Sequence, residues 1–286
     1  MNILVTGANG QLGSEIKELS PLYTKHNFFF EGSKELDITN YEKVKEYISS
    51  KEIEAIINCA AYTAVDKAEE EKEKADGVNN AGVANLAKAI GTGKLIHIST
   101  DYVFNGENFT PYIEEDLPNP IGVYGITKLE GEQKVLKSNA EAIIIRTSWV
   151  YSSFGNNFVK TMLRLGKERE RLNVIFDQVG SPTYARDLGK LCLDILDKEE
   201  KINKQAKVYH YSNEGVASWY DFAKAIMDFS KLQCVIYPIE TKEYPTPAKR
   251  PNYSLLNKAK IKKDFNIEIP YWRDSLKECI KRIENK

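Results

Sequence analysis

"TGANGQLG", residues 6–13, decides how this chain folds. It follows the apolar run "NILVT" (2–6) and leads into a helical pattern near 11–20. Its glycines, Gly7, Gly10 and Gly13, permit a tight turn and let a phosphate come close to the backbone. The helix that opens there offers unpaired N–H groups and the positive end of its dipole. Strand, glycine turn and helix, at the start of a βαβ unit, form the context of a dinucleotide-binding fingerprint. The spacing is G-x-x-G-x-x-G rather than the commoner G-x-G-x-x-G, so a merely tight turn between strand and helix is the bland alternative.

Strand patterns continue at "NFFFE" (27–31), "EAIIN" (54–58), "KLIHIS" (94–99) and "AIIIRT" (142–147). Several are apolar on successive residues, as strands buried on both faces should be. Helical patterns lie between them, near 41–50, 78–91 and 125–138. This alternation predicts a mostly parallel, doubly wound sheet with helices on both sides. Beyond residue 150 the pattern loosens. A helix near 185–197 and a strand "KVYHYS" (207–212) are expected to return to the sheet, with further helices near 218–229 and 272–284. The proline-rich "YPTPAKRPNYS" (244–254) reads as irregular. The expected division is a dinucleotide-binding domain over 1–150, with a return segment near 185–212, and a smaller, mainly substrate-binding lobe over 151–286.

Composition excludes several classes. The chain has 286 residues, with 40 Lys plus Arg against 41 Asp plus Glu, so no basic excess suggests nucleic acid. The apolar runs are strand-length, too short to span a membrane. The opening "MNILVTG" shows no signal-peptide pattern, and the four cysteines are scattered. Reduced thiols and a cytoplasmic location are therefore expected. Neither the cysteines nor the three histidines suggest a metal cluster.

An acidic residue near the end of the second strand would hold ribose hydroxyls. Glu31 sits there, but Ser33 and Lys34 follow and suit a 2′-phosphate, so both NADH and NADPH stay open. Asp37, in "LDIT", is placed near the adenine or before the helix at 41–50.

Tyr-x-x-x-Lys occurs four times, at Tyr41, Tyr47, Tyr124 and Tyr220. Tyr41 and Tyr47 fall in the packing helix before the third strand and Tyr220 in the C-terminal lobe, whereas Tyr124 starts a helix reached from "HISTDYVF", a strand whose carboxyl end should face the ligand. On its helix Tyr124 and Lys128 share a face, directed at Thr100. Carbonyl reduction needs a hydride from nicotinamide and a proton for the oxygen. A tyrosine whose pKa a nearby ammonium lowers can supply the proton, and Thr100 can polarise the carbonyl.

With these segments, and with "NCAAYTAVDKAE", "VNNAGVANLA", "RTSWVY", "NNFVKTML", "DQVGSPTYARDL" and "KRPNYSLL", the chain resembles the extended short-chain dehydrogenases/reductases over nearly its whole length. It is most similar to the dTDP-4-dehydrorhamnose reductases. The resemblance implies a Rossmann-like fold and reduction of the 4-keto group of dTDP-4-dehydro-L-rhamnose with NADPH or NADH. It implies Tyr124 as proton donor, Lys128 as its electrostatic partner and Thr100 as third member. Gly10, Gln11 and Leu12 would line the pyrophosphate, and Asp37 and Ile38 the adenine. Ala60, Ala61, Tyr62, Thr63 and the Ile98 backbone would pass beside the cofactor. Asp101 and Trp149 would contact the sugar, with Val65 at its methyl. Arg250 would reach the diphosphate or form a salt bridge; Asn157 would bond the nucleotide or cap a helix. Glu15 matches a position that holds magnesium in some relatives, but Arg186 stands where another carboxylate is sought, so no metal is expected. The expected partner is a nucleotide sugar, not nucleic acid or membrane, and the chain is expected to be a monomer or homodimer. Two rival readings are a non-catalytic NADP-binding subunit of the methionine adenosyltransferase type and a reductase or epimerase of another nucleotide sugar.

Overall fold

The computed structural model describes residues 1–198 and 206–285. Five strands, β1 (Asn2–Thr6), β2 (Asn27–Glu31), β3 (Ala55–Asn58), β4 (Lys94–Thr100) and β5 (Glu141–Thr147), join Lys207–His210 in one parallel sheet. The spatial order is Lys207–His210, β5, β4, β3, β1, β2. Alternation along each strand explains why the sheet needs helices on both faces. Ile3, Val5, Ile57, Ile96, Ile143 and Ile145 point into one core with helices Gln11–Leu19 and Ala185–Asp197. Leu4, Ile56, Leu95, Ala142 and Ile144 point into the other, with helices Tyr41–Ser50 and Val83–Ile90. The chain is thus an α/β protein with a doubly wound sheet, as its sequence pattern predicts. The expected return to the sheet near 185–212 includes residues 199–205, which lie outside the described residues.

The chain runs outward from β1 to β2, then crosses back to β3 on the other side of β1. The carboxyl ends of β1 and β3 therefore form the switch point where such sheets bind ligands. A separate core builds the remaining lobe. Tyr151, Val159, Met162, Leu172 and Val174 meet Phe222, Ile226, Trp272, Leu276 and Ile280. Two elements here are not among those the sequence pattern predicts. They are the helix Phe158–Glu168 and the parallel pair Arg171–Ile175 with Val235–Ile239. These strands are short, Val235–Ile239 is mostly exposed and contains Pro238, and the two pair across more than sixty residues, so the local pattern does not reveal the pairing.

The helix Val123–Leu136 has a weak apolar stripe, and its partners explain why. It leans on the wide, π-type stretch Gly77–Gly82 by backbone approach rather than by large apolar side chains. A Cβ at Gly131 would meet the Asn79 carbonyl oxygen at 2.1 Å. We expect Gly131→Ala to destabilise the protein by about 1–3 kcal/mol, the usual range for overpacking. Urea unfolding checks this; an unchanged midpoint would show that the helix can move aside freely.

Candidate active site

The glycine turn is shaped by close approach. Gly7 has φ +63, and a Cβ there would sit 2.6 Å from the Ala60 nitrogen, so neither backbone freedom nor space allows another residue. Gly13 is equally hemmed in, 2.5 Å from the Gly7 oxygen. Gly10 differs: a Cβ would come within 4 Å only of the Gly7 oxygen, at 3.2 Å. Its outer side is open, and it is the N-cap of the helix Gln11–Leu19, with no side chain capping that end. The first-turn N–H groups are left for an outside acceptor. The Leu12 side chain is buried in the core, so only its backbone faces the turn. Gln11 accepts a hydrogen bond from Asn157 Nδ2 at 2.9 Å.

Beneath the turn runs a buried polar chain that sequence reading missed. Thr6 Oγ1 donates to Asn58 Oδ1 at 2.7 Å, and the Ala60 N–H donates to the same oxygen at 3.2 Å. The Asn58 amide meets His97 Nδ1 at 3.0 Å. Burial pushes the His97 pKa well down, keeping it neutral. This chain ties the ends of β1, β3 and β4 together and sets the path of Ala60 and Ala61. Asn79, fully buried, continues it: it accepts from the Tyr62 N–H at 2.9 Å and donates to Thr127 Oγ1 at 3.2 Å. The loop Ala61–Tyr62–Thr63 is thereby bonded to the helix that carries Tyr124. A lone asparagine has no periodicity, which is why these ties cannot be seen in sequence.

At the end of β4, Thr100 and Asp101 are buried. Thr100 Oγ1 donates to Asp101 Oδ1 at 3.0 Å and accepts from the Tyr102 N–H at 3.2 Å. Burial raises the Asp101 pKa to about 6, against hydrogen bonds from Ser254 and Thr100. Tyr124 is half-buried, and its ring meets Tyr102 edge-on at 5.4 Å. Lys128 is 1 % exposed, and its Nζ donates to the Ile98 carbonyl at 2.6 Å. Burial pulls the Lys128 pKa down to about 8, partly opposed by Glu132. Burial also pushes Tyr124 up to about 12, with a Thr100 hydrogen bond working against it and the Asp101 charge adding to it. The sequence reading expects the ammonium to lower the tyrosine; instead burial dominates, and the phenol stays protonated near neutral pH.

Other expected site residues are placed as follows. Val65 is half-buried and opens the short helix Val65–Ala68. The exposed Asp37 carboxylate accepts from the Thr39 N–H at 3.0 Å and the Thr39 hydroxyl at 2.8 Å. The cap of helix Tyr41–Ser50 is Asn40, not Asp37. The Ile38 side chain is buried in the core, so only its backbone is free to border an adenine. Glu31 accepts from the Tyr47 hydroxyl at 2.5 Å, so a partner within the protein already holds the expected ribose ligand.

Trp149 has a left-handed backbone, φ +49, rare for a bulky residue, and stacks on Trp219 at 3.7 Å. Trp219 was missed in the sequence. Asn157 is a helix cap: its Oδ1 accepts from the Lys160 N–H at 3.1 Å, and its amide donates to Gln11 and the Ser152 carbonyl. Of its two expected roles, the cap is the one these bonds describe. Arg250 bonds Asp66 at 2.8 Å and the Ala248 carbonyl at 3.1 Å, the salt bridge that is one of its two expected roles. Glu15, fully buried, accepts from Ser152 at 2.6 Å and pairs with Arg186 at 3.2 Å. Among the described residues, no group of three or more His, Cys, Asp or Glu is placed to hold a metal ion.

A phosphate cradle open at Gly10, with a half-buried phenol and a buried ammonium at the end of β4 in the same sheet, defines a nicotinamide-dependent oxidoreductase. The family model described as the RmlD substrate binding domain matches residues 1–285, and the chain belongs to that family. It is 42% identical over 285 residues to the dTDP-4-dehydrorhamnose reductase of Aggregatibacter actinomycetemcomitans, covering 96% of this chain and 97% of the relative. A dTDP-4-dehydrorhamnose reductase structure from Clostridium acetobutylicum superposes with TM-score 0.94 at 41% identity, covering 99% of this chain and 100% of that one. One from Bacillus anthracis, in complex with NADP, superposes with TM-score 0.92 at 40% identity, covering 98% of each chain.

Because the Gly10 side faces open space, Gly10→Val should weaken NADPH binding at least about tenfold through lost backbone approach. Thermal stability without ligand should change little. Calorimetric titration with NADPH checks this, and unaltered affinity would place the pyrophosphate elsewhere.

Proposed function

We propose that this protein reduces the 4-keto group of dTDP-4-dehydro-L-rhamnose to the hydroxyl of dTDP-L-rhamnose, using NADPH or NADH, in the cytoplasm. The observation that supports it most is the Lys128–Ile98 bond, 2.6 Å long, which seats the Tyr124 helix against the end of β4. Full-length kinship to reductases of that substrate supports the sugar and the nucleotide.

In this reading residues 1–150 hold the dinucleotide and the later lobe mainly holds the sugar. The backbone at Gly10, Gln11 and Leu12 takes the pyrophosphate, and Ala60 to Thr63 border the nicotinamide half. Lys128 has ammonium protons beyond the one given to Ile98 and offers them to the ribose. The bound nicotinamide supplies the hydride for the carbonyl carbon. Tyr124 gives its proton to the carbonyl oxygen as negative charge develops there, and Lys128 stabilises the phenolate that remains. Thr100 begins with its hydrogen on Asp101. Donation from Thr100 to the substrate oxygen therefore requires that hydroxyl to turn, with Asp101 taking a sugar hydroxyl or a proton in its place. Trp149, held by its stack on Trp219, and Val65 border the sugar.

The sign of the pH dependence follows. Lys128 acts as a cation, so activity is present below about pH 8 and falls as pH rises through it.

Tyr124→Phe should cut turnover at least about a hundredfold, the usual scale for losing a general acid, with NADPH affinity nearly unchanged. Lys128→Ala should weaken both. Steady-state oxidation of NADPH and NADH with a panel of nucleotide-linked 4-ketosugars tests the reading. Near-normal turnover in Tyr124→Phe, or no preference for the dTDP-linked 4-keto-rhamnose, refutes it.

A further inference from the structure

The helix of Tyr124 and Lys128 carries another buried charge, with no role in the chemistry above. Glu132 is 0% exposed, and Arg146 of β5 clamps its carboxylate. Arg146 Nε lies 3.0 and 3.2 Å from the two oxygens, and Nη2 lies 2.7 Å from one of them. Arg146 is 3% exposed and is held in turn under the Phe104 ring at 5.1 Å. Burying such a pair is a weak device for stability, since desolvation cancels much of the attraction. Its position is more informative.

Glu132 follows Lys128 by four residues, so the two share a helix face. Lys128 donates to Ile98, a neutral carbonyl that supplies no counter-charge. The ionisable groups around this lysine can be followed element by element. Its own helix carries Tyr124, a neutral phenol, and Glu132. β4 carries His97, buried and neutral. The turn after β4 carries Asp101, bonded to Thr100. β5 carries Arg146, whose charge is turned onto Glu132. Glu132 is the group that works against burial to keep Lys128 charged.

We infer that Glu132, clamped by Arg146, is a positioning residue for the reaction: its buried carboxylate is the fixed counter-charge that keeps Lys128 an ammonium beneath the nicotinamide-facing cleft. The clamp matters because it fixes the direction of the Glu132 side chain, which Arg146 holds through both carboxylate oxygens. The inference rests on the reading of Tyr124 and Lys128 as the reacting pair.

The test is the pH profile of kcat/KM for NADPH-dependent reduction. Wild type, Glu132→Gln and the double variant Glu132→Gln/Arg146→Gln are compared, each checked for folding by thermal melting. The wild type should show an alkaline limb at or above about pH 8. In each folded variant that limb should move down by at least about one pH unit, a tenfold change in the proton equilibrium. A purely structural role lowers the rate at every pH and leaves the limb in place, and that result overturns the inference. If neither variant folds, Lys128 is titrated directly in the wild type by NMR of 13C-labelled lysine, assigned with Lys128→Met. Titration at or above about pH 8 supports the counter-charge, and titration below that overturns it. The two readings fail separately. Full activity in Lys128→Met ends the functional reading, whereas an inactive Lys128→Met with an unmoved limb in Glu132→Gln ends only this one.

Discussion

An ammonium group buried to 1% exposure has to be held by the protein, and the Ile98 carbonyl holds Lys128 at 2.6 Å. Much of the site follows from that bond. Ile98 lies near the carboxyl end of β4, so the bond draws the start of helix Val123–Leu136 against the strand's ligand-facing edge. Tyr124, one turn earlier, is thereby brought beside Thr100. The cost of desolvating the ammonium appears in its lowered pKa. That is tolerable because the same burial keeps the phenol protonated, the form a proton donor needs. One desolvated pocket thus pushes two groups in opposite directions: it keeps the phenol protonated and works against the charge on the ammonium, which Glu132 helps to keep.

Polar ties fix the rest of the cleft. Thr6, Asn58 and His97 join three strand ends, and Asn79 bonds the Tyr62 loop to Thr127 on the helix of Tyr124 and Lys128. In a buried setting each unmet donor would cost free energy, so these bonds specify one arrangement rather than several. The facing wall is built otherwise. Trp149 accepts a left-handed backbone because Trp219 covers its ring and Gly180 leaves room beneath it. Arg250 and Asp66 fasten the proline-rich segment across from it, joining residues far apart in the chain.

Much of this was legible in residues 6–147. Ile3, Leu4 and Val5, buried in succession, mark a strand covered on both sides, and Gly7 with Gly13 marks the turn that follows. Tyr124 stood out from the other tyrosines because of the strand before it. Tyr47, a rival by spacing, is held by Glu31 instead. The lobe after residue 150 was harder to read. Strands such as Arg171–Ile175 find their partner more than sixty residues away, and periodicity reports only local order. Asn157 and Arg250 were ambiguous for a related reason: a cap or salt bridge and a ligand contact call for the same side chains.

By itself the sequence determined the doubly wound architecture, the glycine turn and the Tyr124–Lys128 pair. These depend on residue types at short, regular spacing, which strand and helix geometry turns directly into shared faces. Only the tertiary structure decided the charge states, the commitment of Asn157, Arg250 and Glu31 to protein partners, and the joining of Glu132 to Arg146. Those depend on burial and on which distant groups meet, and desolvation is a property of the folded surroundings rather than of any residue in the chain.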